Sequence, residues 1–379
     1  MRNFFRNLKV IEIIYFLAAV IIPLQRYFHN HYNNFTIFQH SCFHFFGRTN
    51  LYIEYPKEYY DLFLYNPTFA LLFVPFAYLP TIAGIYIWVG FVMAVYYFSI
   101  RLLPFGKKEK LFIYAFTFIE LVTALENVQT NPLIASFILF TFIFLENEKV
   151  FKASIFPNLG FFVKGYGAIS GILLFLKKPK FRTFLYLLFW FAILFFLPLI
   201  YYSPAGLIDL YKQWKVSLFS DHEINNGVSV MGMLISIFRL NVPVIWFQIV
   251  GLLFFISTVI LIFIRKNYEE VKAIFLSYIM IWVIIFNHDS ESATYIIAVT
   301  GVAVWYVNSS KSLTDKILLA LTFILTVLSP TDIFPDFLFK KFVYPFALKA
   351  LGPTLIWLKI QFFLYFPENK VLKDIRKAD

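Results

Sequence analysis

Apolar runs long enough to cross a bilayer recur along the whole chain, separated by short polar intervals. A spanning helix needs roughly 20 apolar residues. The clearest candidates cover residues 9–27, 82–103, 110–125, 131–147, 181–202, 242–264, 268–287, 293–308, 314–329 and 344–363. Two further stretches break the pattern. Residues 66–80 are apolar but short, and they carry Pro67, Pro75 and Pro80. Residues 151–176 are interrupted by Pro157, Gly160, Lys164, Gly165 and Gly167. Proline and glycine break helices, so 66–80 is read as not crossing alone and 151–176 as a broken, re-entrant hairpin. The pattern predicts one all-α polytopic membrane domain over 1–379, with about 10–12 transmembrane helices.

Polar residues gather in a few intervals. The longest near the start, 28–65, is a first loop expected to carry short helices. It holds four of the six histidines, His29, His31, His40 and His44, with Glu54, Glu58, Asp61, Asn30, Asn33 and Asn34. A second long interval is 203–241. Within it Leu207, Leu210, Trp214 and Leu218 recur at helical spacing, as in a helix lying on the membrane interface. Shorter polar intervals are 126–131, 287–292 and 330–342.

Charge orients this pattern. The chain carries a formal charge of +11 and is 60% hydrophobic and 15% charged. On a soluble protein such a charge would point to nucleic acid. On this chain it follows from the excess of Lys and Arg in cytoplasmic loops, so no nucleic-acid partner is expected. With a cytoplasmic N-terminus, the basic clusters near 2–9, 101–110, 149–152, 177–182, 265–272 and 311–316, and the tail 366–379, fall on one side. The polar intervals then face the other side, and both termini are cytoplasmic. If both broken stretches span once, most of that asymmetry disappears. The single Cys42 excludes an intrachain disulfide and a cysteine metal cluster. The basic start before the first apolar run lacks a cleavage site and reads as a retained helix.

Several groups in these intervals could carry chemistry. Asp61 stands where the chain re-enters the membrane; a partly desolvated carboxylate there is a candidate general base. It could equally cap the next helix or pair with Lys57. Lys164 interrupts Gly160-Phe-Phe-Val-Lys-Gly-Tyr-Gly167, and a phosphate partner would offset the cost of burying its charge. The competing reading is a lysine snorkelling to the interface. His288, Asp289 and Glu291 sit between two apolar helices, where a histidine can bind phosphate or relay a proton, or simply belong to a wet loop. His40 and His44 are spaced i, i+4, but no second ligand pair accompanies them, and no metal site is assigned. No phosphate-binding glycine loop, Gly-x-Ser-x-Gly or His-Glu-x-x-His is present.

Three stretches carry a family resemblance: Asn34-Phe35-Thr-Ile-Phe with Gly47-Arg-Thr-Asn-Leu51-Tyr52; Tyr65-Asn66-Pro67-Thr-Phe69-Ala70-Leu-Leu-Phe-Val-Pro75 ending in Leu79-Pro80; and Val128-Gln129-Thr130-Asn131. Together they resemble glycosyltransferase family 87, whose members are integral-membrane, polyprenyl-phosphate-dependent mannosyltransferases with the C-type glycosyltransferase fold. The likeness covers roughly residues 30–305. It implies that Lys164 matches the family's lysine and His288 its late-loop histidine. It also implies transfer of a hexose, mannose in the family, from a polyprenyl-phosphate-linked donor to a lipid or glycan acceptor. The reaction belongs on the extracytoplasmic face of a cell membrane, a bacterial inner membrane in the simplest case, in the service of glycan and cell-envelope biosynthesis. The donor is already activated, so no cofactor is expected.

One departure matters: the family's Asp-Phe aspartate, the expected base, is Asn34 here, and an amide cannot accept that proton. Asp61 then takes the role of base, with Glu54 as its alternative. On this reading Asp61 and His288 are catalytic, and Asn34, Tyr65, Gln129, Asn131, Lys164 and Glu291 bind substrate. Membrane lipid surrounds the domain, and Phe-rich helices hold the isoprenoid tail. The competing readings are a lipid or polysaccharide transporter or flippase, which would share the broken segment, and a catalytically inactive lipid-binding homologue.

Overall fold

The computed structural model describes residues 8–177, 181–220 and 227–366. Arg2, Arg6, the Lys178 and Lys180 pair, residues 221–226 of the second long loop and the tail from 367 lie outside them. Among the described residues every regular element is helical. The helices group into two compact units, Met1–Pro104 with Val122–Ile224, and Phe105–Leu121 with Asn225–Asp379.

The first unit opens with α1 (Leu8–Phe28) and α2 (Asn33–Gly47), the latter inside the predicted first loop. Next come α3 (Pro67–Leu72) and α4 (Val74–Ala77), then α5 (Thr81–Arg101). α3 starts where it does for a local reason. The Asn66 side chain accepts the N–H of Thr68 at 2.9 Å, and Pro67 fills the first turn, the standard pairing of an Asx N-cap with proline. The prolines of 66–80 thus yield two short helices and no span, as expected. α5 returns antiparallel to α1: Arg101, in its last turn, meets Glu12, near the start of α1, at 3.1 Å. The N-terminal end of α1 and Arg101 therefore lie at the same end of this helix pair.

α6 (Lys107–Glu126) begins in the second unit and ends in the first, followed by α7 (Asn131–Glu146), α8 (Val150–Ala153), α9 (Ile155–Val163), a 3-10 turn over Gly165–Ser170 and α10 (Gly171–Lys177). α11 (Phe181–Phe196) and α12 (Pro204–Ser220) complete the first unit. On α12, Leu207, Leu210 and Ser217 are buried while Leu218 is exposed. The inward stripe therefore ends on Ser217, one residue before the predicted Leu218.

The second unit contains α13 (Val230–Phe238), α14 (Val244–Arg265), α15 (Tyr268–Ile285), α16 (Tyr295–Val307), α17 (Leu313–Thr322), α18 (Asp336–Leu338) and α19 (Leu351–Tyr365). α15 and α16 approach closely at Gly301, where a Cβ would lie 2.8 Å from the Cβ of Met280. Small residues allow such contacts between membrane helices. A buried polar chain ties three helices: Tyr278 donates to Gln361 at 2.7 Å, and Gln361 donates to Thr258 at 2.8 Å. The predicted 344–363 segment starts as a turn over 344–347 and is helical from Leu348 to Tyr365. Asp336–Val343 and Leu348–Tyr365 meet at 88°, because Ala347 adopts a left-handed conformation with φ +47.

Four described helices, Leu8–Phe28, Thr81–Arg101, Phe181–Ile200 and Val244–Arg265, are long and apolar enough to span, and the bent pair makes a fifth. Shorter apolar helices such as Asn131–Glu146 accompany them. The protein is an all-α polytopic membrane protein.

Candidate active site

The site begins with a helix that stops. α9 ends at Val163, and Lys164 is extended, with φ −139 and ψ 115, before the 3-10 turn takes over. The chain folds back so tightly that a Cβ on Gly160 would lie 2.7 Å from the Gly167 carbonyl oxygen. One on Gly167 would lie 2.6 Å from the Cα of Gly160. Only residues without a side chain permit that approach, and it sets Lys164 at the bend, as expected of 151–176.

A second turn faces this lysine. After α6, Val128 takes φ +53 while only 1% exposed. Its N–H donates to Leu125 and the N–H of Gln129 to Ala124, and its carbonyl accepts the Trp88 indole N–H at 3.4 Å. A β-branched residue in the left-handed region is a real outlier, costing about 1–3 kcal/mol, and such strain gathers at functional sites. The turn leads into Gln129, Thr130 and Asn131, with Pro132 in the first turn of α7.

The side chains of these two turns meet. Lys164 Nζ donates to Asn131 Oδ1 at 2.9 Å and to Gln129 Oε1 at 3.4 Å. The Tyr166 hydroxyl donates to the same Asn131 oxygen at 3.1 Å. The ammonium lies 5.6 Å from the centre of the Tyr65 ring, within cation–π reach. The Tyr65 hydroxyl donates to Gln129 Oε1 at 3.4 Å and lies 3.3 Å from Thr130 Oγ1. Phe38, Phe63 and Phe69 pack around the Tyr65 ring at 4.9, 5.8 and 4.8 Å, so its direction is fixed. Asn131 is fully buried, while Lys164 keeps part of its surface. Tyr65, Gln129, Asn131 and Lys164 thus assemble as one cluster. Sequence reading missed Tyr166 and Thr130, although Tyr166 stands two residues beyond Lys164 between two glycines.

The start of α2 braces both neighbouring loops. Asn33 makes two hydrogen bonds to the backbone of Tyr60, at 2.5 and 3.0 Å. Asn34 Nδ2 donates to the Asn127 carbonyl at 2.8 Å, in the turn ahead of Gln129. A carboxylate at 34 has no proton to donate there, which gives Asn34 a physical role distinct from that of the family's aspartate. Asp61 follows the pinned Tyr60, with φ +83. It is exposed, which corrects the expected desolvation, and among the described residues its carboxylate accepts the N–H of Leu62 at 2.7 Å. It neither caps the next helix nor bonds Lys57.

His288 and Glu291 belong to the second unit. Gln248 Nε2 donates to His288 Nδ1 at 3.0 Å, and His288 Nε2 lies 3.1 Å from Asp289. Gly227, at φ +54, lies against this loop: a Cβ there would sit 2.0 Å from the His288 carbonyl oxygen. Glu291 is exposed and caps the turn 292–294 in a reciprocal pair with Thr294. Sequence reading did not single out Lys349, also in this unit and nearly sealed at 4% exposed. It donates to the fully buried Glu120 at 2.6 Å and to Ser292 at 2.9 Å.

These features define a membrane protein with a polar cluster of one cation, two amides and two phenols set among apolar helices. The model of glycosyltransferase family 87 matches residues 63–286, more than half of the chain, and the chain belongs to that family. It is a membrane glycosyltransferase. The matched region contains Tyr65, Gln129, Asn131 and Lys164, begins after Asn34 and Asp61, and ends just before His288. Comparison with curated proteins finds no match.

Proposed function

We propose that the cluster at Lys164 receives a polyprenyl-phosphate-linked hexose, mannose in the first instance, and that the sugar passes to a lipid or glycan acceptor on the extracytoplasmic face. The observation that carries the proposal is the position of Lys164, at a helix break among the amide oxygens of Gln129 and Asn131 and under the Tyr65 ring. A cation with amide and phenol groups suits a phosphate beside a sugar: the ammonium meets the anion, and the amides exchange hydrogen bonds with hydroxyls.

The reaction is a single displacement with inversion. Asp61 takes the proton of the acceptor hydroxyl, the freed oxygen bonds to the anomeric carbon, and the bond from that carbon to the phosphate oxygen breaks. Negative charge grows on the leaving phosphate, where Lys164 is worth more in the transition state than in the ground state. Three features support Asp61 in that role. Asn33 pins the adjacent Tyr60, its backbone is left-handed, and its exposure leaves room for an acceptor. An apolar groove of about 440 Å³ suits an isoprenoid chain. Phe195, Phe196, Leu199 and Ile208 line it, with Lys212 and Lys215 at its edge.

The test is transfer of radiolabelled mannose by the purified protein in lipid vesicles, from polyprenyl-phosphate mannose or from a nucleotide sugar. The proposal expects a new glycosidic bond from the first donor only, lost in Asp61→Asn and in Lys164→Met. Transfer from the nucleotide sugar alone would overturn the donor assignment, and unchanged turnover in Asp61→Asn would remove Asp61 as base.

A further inference from the structure

The helical spacing of His40 and His44 on α2 puts both imidazoles on one face, and the structure brings a third donor to them. Glu58 Oε2 lies 2.8 Å from His40 Nδ1 and 2.9 Å from His44 Nε2. The three donor atoms all fall within 4.8 Å of one another. Among the described residues these imidazoles are the side-chain partners of the Glu58 carboxylate. Among the described residues no lysine or arginine bridges to it.

The rings are held in place. His44 lies against Tyr55 with ring centres 3.9 Å apart, and the Tyr55 hydroxyl is itself fixed by donating to the Asn50 carbonyl at 2.6 Å. His40 packs edge-on against Phe43 and Tyr59. Glu58 is set by a turn in which its N–H donates to the Tyr55 carbonyl at 2.8 Å. His44 is buried, and among the described residues neither its Nδ1 nor the nearby Tyr59 hydroxyl has a hydrogen-bond partner. Burial outweighs the pull of Glu58 and holds the His44 imidazole below its ordinary pKa.

We propose that His40, His44 and Glu58 form a zinc site that staples α2 to the 50–65 segment. Two imidazoles and one carboxylate, with a fourth position open to water, are a zinc donor set. Tetrahedral geometry at the usual zinc–ligand lengths separates donors by about 3.3 Å, so the two pairs with Glu58 need to open by about half an ångström, and the two imidazole nitrogens, within 4.8 Å of each other, need to settle to the same spacing. On binding, the proton that each neutral imidazole shares with Glu58 moves to its other ring nitrogen, the freed lone pair takes the metal, and the carboxylate charge offsets part of the ion's charge. The site shares no residue with the Lys164 cluster, so the proposal stands apart from the glycosyltransfer reading.

The full-length protein in detergent, stripped with chelator and dialysed, is titrated with zinc by calorimetry and with cobalt by visible absorption. The expected result is one ion per chain, a tetrahedral cobalt spectrum and a zinc-dependent rise in melting temperature. Glu58→Gln and His40→Ala should weaken zinc by more than the roughly 10–100-fold that outer-shell changes cost. Glu58→His, which supplies a third ligand again, should retain binding and guards against misfolding of the other variants. His29→Ala should bind as wild type does. Absence of binding, an octahedral cobalt spectrum, or equal affinity in Glu58→Gln would leave a hydrogen-bonded His–Glu–His triad only and overturn the proposal.

Discussion

The two units each set a lysine among apolar helices, and they treat it differently. In the second unit, Lys349 is sealed against Glu120 and Ser292, with the Tyr295 ring 5.2 Å away. Charge is cancelled within the protein, and a buried carboxylate takes the place any anion would need. In the first unit, Lys164 meets the neutral amides of Gln129 and Asn131, at a helix break that keeps part of it accessible. The first arrangement is a brace, the second a receptor. Burial of a cation alone therefore does not mark a site; the chemistry and openness of its surroundings do.

Removing each lysine separates the two roles. Lys349→Met leaves the Glu120 carboxylate buried without its counter-ion, which costs about 3–5 kcal/mol. The protein should melt much earlier in detergent, and adding Glu120→Leu should recover most of the loss, since a well-packed apolar pair can replace a buried ion pair. Lys164→Met should do the reverse, with the melting temperature near that of wild type. Turnover in the vesicle assay should fall by about 10²–10³-fold, as when one transition-state donor is removed. If the melting effect appeared at 164 and the activity effect at 349, brace and receptor would have to be exchanged.

The bend that presents Lys164 gives a sharper, smaller test. Gly167→Ala pushes a methyl into the Gly160 backbone, and overpacking of this kind costs about 1–3 kcal/mol. Thermal unfolding should show that loss, with a fall in turnover as the bend opens. Gly165→Ala is the control, because nothing lies within 4 Å of a Cβ there, and it should be silent in both measurements.

Local rules carried the parts of this fold that were legible beforehand. Asn66-Pro67 marks a helix start, three prolines stop 66–80 from spanning, and glycines around Lys164 announce a break. α1 and α5 fall within two residues of the expected 9–27 and 82–103. What escaped depends on partners far away in the chain. Glu120 reads as one acid inside an apolar run until Lys349, 229 residues later, is seen beside it. Glu58 joins His40 and His44 only through the turn at Tyr55. The right-angle bend near Ala347 has no glycine to announce it, and the exposure of Asp61 follows from Asn33 holding Tyr60. Of the candidate site, Tyr65, Gln129, Asn131 and Lys164 were named together from motif order, whereas the strained Val128 that turns two of them inward had no signature in the sequence.

The smallest expected effect concerns the residue that departs from the family. Asn34→Asp places a carboxylate where an N–H now donates to the Asn127 carbonyl. The lost bond is worth about 1 kcal/mol, or about five-fold in rate if it is felt wholly in turnover. It should act by loosening the turn that carries Gln129, so the Michaelis constant for the donor rises. Asn34→Ala, which removes the same bond without adding charge, should match it. If Asn34→Asp instead raised turnover, and did so even in an Asp61→Asn background, the base would belong at position 34. The rest of the first loop, Asp61 included, would then serve the cluster only as a frame.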